Sequence, residues 1–394
     1  MTPPEHPPRS WRTKLIHSDV ELPEGYRSLA TPVYRGSTTV FPSAGKIRDD
    51  WRQHEVGWVY GLYGTPTALE LAGRIAELEG GFRTFIVPGG QSALALINLA
   101  LLSEGGHVLI PDSIYSPHRQ LADDLLGRLG VTCDYYPPTI GADIERLIGE
   151  RTRLVWCESP GSITMEVQDV PAIAEVAHRH GAQVAMDNTY SAGVYFDAFA
   201  HGVDVVTQAL TKYIGGHSDL LLGSVTVRNE ADYERIGSTL QMLGMAVSPD
   251  ECSLALRGMQ TLGVRLSALE RSTLEVARWL AGREEIATVL HPALPSCPGH
   301  ELWKRDFTGS TSVFSVEFRP EVRRSRVRAF VDALELFEIG WSWGGVTSLA
   351  VPVNPPRTAS EGPRAGALVR FNVGLEDPAD LLADLEGGLR SLGQ

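Results

Sequence analysis

Apolar positions along the chain follow two periods, and the change from one to the other marks its elements. From residue 68 to 79, Leu69, Leu71, Ile75 and Leu78 fall on one face of a helix, and Gly80-Gly81 stops it. A short β-rich run at 84–87 then passes through Pro88-Gly89-Gly90 into a helix carrying Leu94, Ile97 and Leu101. The alternation continues with strands at 107–111, 131–136, 154–157, 183–186, 203–207 and 221–227. Helices are expected around 121–129 and 143–148, and from Asp169-Val170-Pro171 to Gly181, where proline occupies the first turn. Val/Ile/Leu-rich strands alternating with helices predict a mainly parallel sheet covered on both faces. Beyond about Met259 the pattern becomes long amphipathic helices (266–280, 327–337) interleaved with strands (312–318, 367–373), which predicts a smaller α+β domain. Residues 1–64, rich in Pro, Gly and aromatics without a long helical period, read as an extended arm. The expected division is therefore an arm at 1–64, a large domain at 65–258 and a C-terminal domain at 259–394.

A chain of 394 residues is long enough for two domains. Its net charge of -13 argues against nucleic acid or an anionic membrane as the main partner. Cys133, Cys157, Cys252 and Cys297 are widely spaced and form no CxxC pair, so no metal site or disulfide framework is expected and a reducing cytoplasm is. Residues 1–13, proline-rich and without an apolar run, do not read as a signal peptide, and no segment has the apolar length of a membrane span. Among the 35 basic residues only Lys14, Lys46, Lys212 and Lys304 are lysines, so chemistry that needs an amine has few candidates.

Three segments carry candidate chemistry. Gly89-Gly90-Gln91-Ser92 joins a strand to a helix, where successive N–H groups and the helix dipole can cradle an anion; a plain turn fits the same glycines. Asp187 ends a buried apolar strand, the edge at which parallel α/β sheets bind ligands, and an Asx turn is the rival reading. Lys212 follows another buried strand and precedes Gly215-Gly216, so partial desolvation would lower its pKa and favour a Schiff base. His217 and Asp219 in the same run are expected to hold the glycine turn locally.

A phosphate cradle, an Asp at a strand end and a lysine about 25 residues later together resemble the Cys/Met-metabolism family of fold-type I pyridoxal-phosphate enzymes, nearest its bacterial cystathionine β-lyases. The resemblance runs from about Thr31 to Asp384. Its most specific stretches are YGLYGTPT (60–67), ESPGSITMEVQDVPAI (158–173), MDNTYSAGV (186–194), TKYIGGHSD (211–219), RGMQTLGVRL (257–266), WSWGG (341–345) and LVRFNVGLED (368–377). It implies an α/β transferase fold with a mainly parallel seven-stranded sheet and a smaller C-terminal α+β domain.

The same resemblance implies pyridoxal 5'-phosphate as cofactor and assigns roles. Lys212 would be the Schiff-base lysine and proton carrier, Asp187 the partner of the pyridinium nitrogen, and Tyr115 the residue stacked on the ring. Gly90, Gln91 and Thr211 would hold the phosphate. Tyr60, a further catalytic-site residue, would reach the phosphate of the neighbouring subunit, which implies a dimeric active unit within a tetramer. Arg370 would clamp the substrate carboxylate, with Ser342 and Trp343 lining that pocket. The implied activity is carbon–sulfur β-elimination of L-cystathionine or cysteine S-conjugates, giving the thiol, pyruvate and ammonia. Elimination or replacement at the γ-carbon, or a cofactor-bound regulatory protein, are the alternatives. Three positions depart from the family: Leu62 stands where an arginine is usual after the tyrosine, Ala209 where many relatives carry Ser, and Thr347 where several γ-acting relatives carry Glu.

Overall fold

The computed structural model describes residues 10–16, 29–360 and 366–393, so residues 1–9 and 17–28 of the expected arm lie outside the described residues. Seven strands form one sheet in the order β1-β7-β6-β5-β4-β2-β3. They are β1 (Arg83–Val87), β2 (His107–Pro111), β3 (Thr132–Tyr136), β4 (Thr152–Glu158), β5 (Gln183–Asp187), β6 (Val205–Ala209) and β7 (Gly223–Val227). β2 pairs in parallel with β3 and β4, β4 with β5, and β5 with β6, while β7 runs antiparallel between β6 and β1.

Burial explains why these strands read as continuous apolar runs. Along β4, Leu154 and Trp156 enter a core shared with Leu94, Ile97 and Leu101 of the helix Gly90–Leu101. Val155 and Cys157 enter a second core with Ile173, Ala174 and Ala177 of the helix Val170–Arg179. Successive side chains of a strand face opposite ways, and here both ways are inside. The helix beginning at Val170 is started by Asp169, whose side chain accepts from the Ala172 N–H.

The C-terminal sheet has the order β10-β11-β12-β9-β8. Its strands are β8 (Ile286–Leu290), β9 (Val313–Phe318), β10 (Glu338–Ile339), β11 (Leu349–Val353) and β12 (Leu368–Asn372). Phe314, Phe318, Phe330 and Phe371 fill the core between this sheet and the helices Arg324–Asp332 and Pro378–Arg390. The expected boundary after residue 258 falls inside one unbroken helix, Pro249–Ala281. That helix contributes Leu256, Met259, Leu262 and Leu266 to a core of the large layer and Val276, Ala277 and Leu280 to the C-terminal core.

Several expected elements shift for local reasons. The helix expected at 327–337 stops at Asp332, because the Asp384 carboxylate accepts the N–H groups of Glu335 (2.8 Å), Leu336 (2.9 Å) and Phe337 (3.2 Å). The segment expected as a helix at 121–129 begins earlier, at Ser116, and widens into a π turn over 121–126. At 141–147 the chain makes a 3-10 turn. Among the described residues, no helix is long and apolar enough to cross a membrane.

Candidate active site

The carboxyl ends of β4, β5 and β6 and the start of the helix Gly90–Leu101 meet around one cavity of about 210 Å³. Gly90, Gln91, Tyr115, Asp187, Thr211, Lys212 and Trp343 all line it. The strand order puts them there: Asp187 is the last residue of β5, and Lys212 follows β6 after a two-residue step. Gly90 is dictated by contact, since a Cβ at that position would come within 2.8 Å of the Ala209 side chain.

Lys212 is the chemical centre. Its Nζ lies 2.5 Å from Ser342 Oγ and 4.6 Å from the centroid of the Trp343 ring. Burial lowers its pKa to about 8; the nearby Arg370 cation pushes the same way and Asp187 opposes it. A substantial neutral fraction at ordinary pH is what a nucleophilic amine needs. Asp187 accepts the Thr189 N–H (3.0 Å), and burial raises its pKa against the pull of that bond and of Lys212. Tyr115 is raised too, by burial and then by the Asp187 and Glu158 carboxylates.

The C-terminal sheet supplies the opposite wall. Arg370 is 5% exposed in the middle of β12, with its Cζ 5.1 Å from the Trp343 ring centroid and 5.6 Å from that of Trp341. Burial holds its guanidinium down to about 10. Ser342 has φ 89°, a left-handed conformation that costs a β-substituted residue of order 1–3 kcal/mol, and the strain falls where its hydroxyl meets Lys212. Trp343 lines the cavity, and its Nε1 is buried without a hydrogen-bond partner among the described residues.

The remaining expected residues are placed as follows. Gln91 lines the cavity and donates to the Pro117 carbonyl (2.9 Å). The Thr211 hydroxyl, also on the cavity, donates to the Leu222 carbonyl at 3.1 Å. Tyr60 is 44% exposed, packs edge-on with Tyr63 at 6.3 Å, and does not line this cavity within one chain. Leu62 is half-buried in the short turn Gly61–Tyr63. His217 Nδ1 contacts the Gly215 carbonyl at 2.8 Å, the local turn role expected of it.

Glu158 escaped the sequence reading. It closes β4 directly opposite Asp187 in the parallel register, lines the cavity, and accepts the Tyr115 N–H at 2.8 Å. Burial and the facing Asp187 carboxylate raise its pKa well above the ordinary range. A reading that extended the buried strand by one residue would have set it beside Asp187 at the same sheet edge.

These residues fit pyridoxal phosphate. The helix Gly90–Leu101 has no side-chain cap, so its first N–H groups are open to an anion. Asp187 offers a buried carboxylate for a ring nitrogen, and Lys212, 4.6 Å from the Trp343 ring centroid, a weakly basic amine for an aldehyde.

Comparison with known proteins agrees. Residues 12–390 match the model of a family described as Cys/Met metabolism PLP-dependent enzyme. The chain is 40% identical over 384 residues to the cystathionine β-lyase of Escherichia coli, covering 95% of this chain and 97% of that protein. It is also 40% identical, over 91% of both chains, to the cystathionine β-lyase of Bordetella avium. The crystal structure of cystathionine γ-lyase from Lactobacillus plantarum with L-serine superposes with a TM-score of 0.89 at 27% identity, over 98% of this chain and 100% of that one.

Proposed function

The chain belongs to the Cys/Met metabolism PLP-dependent enzymes, and on that premise we propose that it is a carbon–sulfur lyase that eliminates the β-thiolate of L-cystathionine. Cystathionine and water give homocysteine, pyruvate and ammonia. Bound pyridoxal phosphate supplies an aldehyde for the substrate amine and a ring that accepts the electron pair left when Cα loses its proton.

The protein's part is placement and proton transfer. Arg370 holds the substrate carboxylate with two parallel N–H donors, Trp343 Nε1 adds a third, and Ser342 completes that pocket. This orients the Cα–H toward Lys212 Nζ, which takes the proton and returns one to the departing groups. Asp187 keeps the ring nitrogen protonated, and Tyr115 covers the ring face and excludes water. The N–H groups at Gly90 and Gln91 would hold the phosphate, joined by the Thr211 hydroxyl on turning from the Leu222 carbonyl. Tyr60 completes the phosphate site of a neighbouring subunit, so the active unit is a dimer within a tetramer. Residues 29–64 belong to its linking arm, and the helix Pro249–Ala281 joins the cofactor domain before it to the C-terminal α+β domain after it, in a cytoplasmic protein.

One observation carries the reading: the Trp343 ring lies 4.6 Å from the Nζ of a lysine of lowered pKa and 5.1 Å from the Cζ of a buried arginine. Incubation of the cofactor-loaded protein with L-cystathionine, followed by identification of the 2-oxo acid, tests it. Pyruvate is expected. 2-Oxobutyrate would mean γ-elimination, and a silent loaded protein would refute the lyase reading.

A further inference from the structure

Arg370 lies in a strand of the C-terminal sheet and Tyr115 at the start of the helix after β2, yet a bound amino acid must meet both. One of the contacts that hold the two parts together lies outside the cavity, at Asp112. This residue directly follows β2 and precedes Tyr115 by three positions, with the Ile114 N–H bonded to the Pro111 carbonyl (3.0 Å) in the turn between. The Asp112 side chain is fully buried, and burial alone would leave its charge costly.

The charge is met by the loop between β11 and β12, some 246 residues further along the chain. Thr358, Ala359 and Ser360 donate their backbone N–H groups to the Asp112 carboxylate at 3.0, 3.2 and 2.9 Å. The Thr358 hydroxyl adds a contact at 3.2 Å. Arg119, from the helix after Tyr115, closes the set at 2.5 Å from Asp112 and 3.2 Å from the Thr358 hydroxyl. Arg357, the first residue of the loop segment, stands 3.9 Å from Asp112 and binds Thr164 Oγ1 (2.7 Å) and the Glu166 carboxylate on the large domain. Three consecutive N–H groups on one carboxylate form an anion nest turned inward. These donors hold Asp112 ionised, its pKa below the usual value despite burial.

We propose that Asp112 is a positioning residue of the active site: by gripping the 358–360 backbone it fixes the strand that carries Arg370 against the wall that carries Tyr115. The inference rests on the carboxylate-binding role of Arg370 given above. Its consequence is selective. The cofactor is held by large-domain residues and does not depend on the grip, whereas the amino-acid carboxylate depends on where β12 sits. Loss of the grip raises the concentration of substrate needed and leaves the chemical step of the bound complex largely intact.

Three variants of the cofactor-loaded enzyme test this with L-cystathionine. Asp112→Ala removes the acceptor, Asp112→Asn keeps one carbonyl oxygen, and Ser360→Pro removes the N–H and hydroxyl that Ser360 gives Asp112, with the hydroxyl's contact to Arg357, without touching the buried carboxylate. KM should rise roughly tenfold in Asp112→Ala and roughly threefold in Ser360→Pro, with partial rescue in Asp112→Asn and kcat within about threefold of wild type throughout. Amide hydrogen exchange at 358–360 should accelerate in all three, and pyridoxal phosphate affinity, titrated on the cofactor-free chain, should stay unchanged. An unchanged KM in Ser360→Pro despite faster exchange would overturn the proposal. So would equal losses in cofactor affinity and KM, which would indicate general destabilisation. If wild type is silent on cystathionine, the reaction reading fails by itself. The affinity for L-alanine, read from the cofactor's absorbance, then decides the role of Asp112 by the same ratios.

Discussion

Lys212, in the turn after β6, and Arg370, in the C-terminal sheet, share one indole: Nζ of the first lies 4.6 Å and Cζ of the second 5.1 Å from the centroid of the Trp343 ring. Two cations on one ring satisfy the ring quadrupole and repel each other. The repulsion lowers the pKa of Lys212, which burial has already depressed. In the roles proposed above, the residue that binds the substrate's carboxylate would also prepare the amine that takes its proton, and neutralising Arg370 with that carboxylate would alter both.

Replacing Arg370 by Gln should raise the pKa of Lys212 above its present value of about 8, because the second-ranking cause of its depression is gone. The rate at which the cofactor-free chain takes up pyridoxal phosphate should then need a higher pH to reach its plateau. Stopped-flow absorbance between pH 6.5 and 10 measures this, and an unshifted profile would show that the two cations do not communicate.

Arg370→Lys keeps the charge and loses the fork. A point charge cannot reproduce two parallel hydrogen bonds to a carboxylate, and loss of a buried charge-assisted pair costs about 2–5 kcal/mol. KM for cystathionine should rise by at least tenfold. Steady-state kinetics decide, and an unchanged KM would move the carboxylate site elsewhere.

Trp343→Phe retains an aromatic face beside the cations and removes the indole N–H, which has no partner among the described residues, together with one of the two fused rings. The relieved donor, about 1–3 kcal/mol, offsets the packing lost with the smaller ring, so the stability of the cofactor-free chain should change little. KM should rise several-fold as the donor to the substrate disappears. A stability loss together with an unchanged KM would make Trp343 a packing residue.

Much of this site was legible in the sequence because its chemistry sits at strand ends. Asp187 closes an apolar run and Lys212 follows one, and both runs are buried strands in the structure. The direction of β7 was not legible: an antiparallel strand between β6 and β1 has the same apolar pattern as its neighbours. The helix Glu230–Leu243 was missed as well. It buries only Asp232, Tyr233, Ile236 and Gly237, too narrow a face to read as a period. Glu158 and Asp112 were passed over for another reason. Their meaning lies in partners, Asp187 in the adjacent strand and a loop in the other sheet, that chain order does not bring together.

Asp187→Asn should leave the cofactor bound and slow the chemistry. The neutral amide removes the anion that keeps the ring nitrogen protonated, while the Thr189 N–H still finds an oxygen. Burial of Asp187 beside Glu158 is already costly, so the apo-protein should not lose stability. Rapid-mixing measurement of Cα–H exchange with deuterated solvent should show a large fall in rate with a smaller change in substrate affinity. Near wild-type exchange would refute the role.

The last prediction concerns Lys212 without cofactor or substrate. Its folded pKa of about 8 lies below the ordinary 10.5, so between these values the unfolded chain holds more proton than the folded one. Stability then rises with pH across that window, and the penalty is complete below about 8 and gone above about 10.5. Lys212→Met preserves the length and much of the apolar stem while removing the amine. At pH 7 the cofactor-free variant should be more stable than the cofactor-free wild type. The gain is on the order of 2–3 kcal/mol from the relieved charge, less about 1 kcal/mol for the lost bond to Ser342. By pH 10.5 the advantage should vanish or reverse, since only the lost Ser342 contact remains. Thermal unfolding of both apo-proteins from pH 6 to 10.5 reads the difference. The same variant should carry no borohydride-reducible cofactor. A wild type more stable than Lys212→Met at every pH would mean that the amine is held charged without cost, and the depressed pKa on which the proton-transfer role depends would be wrong.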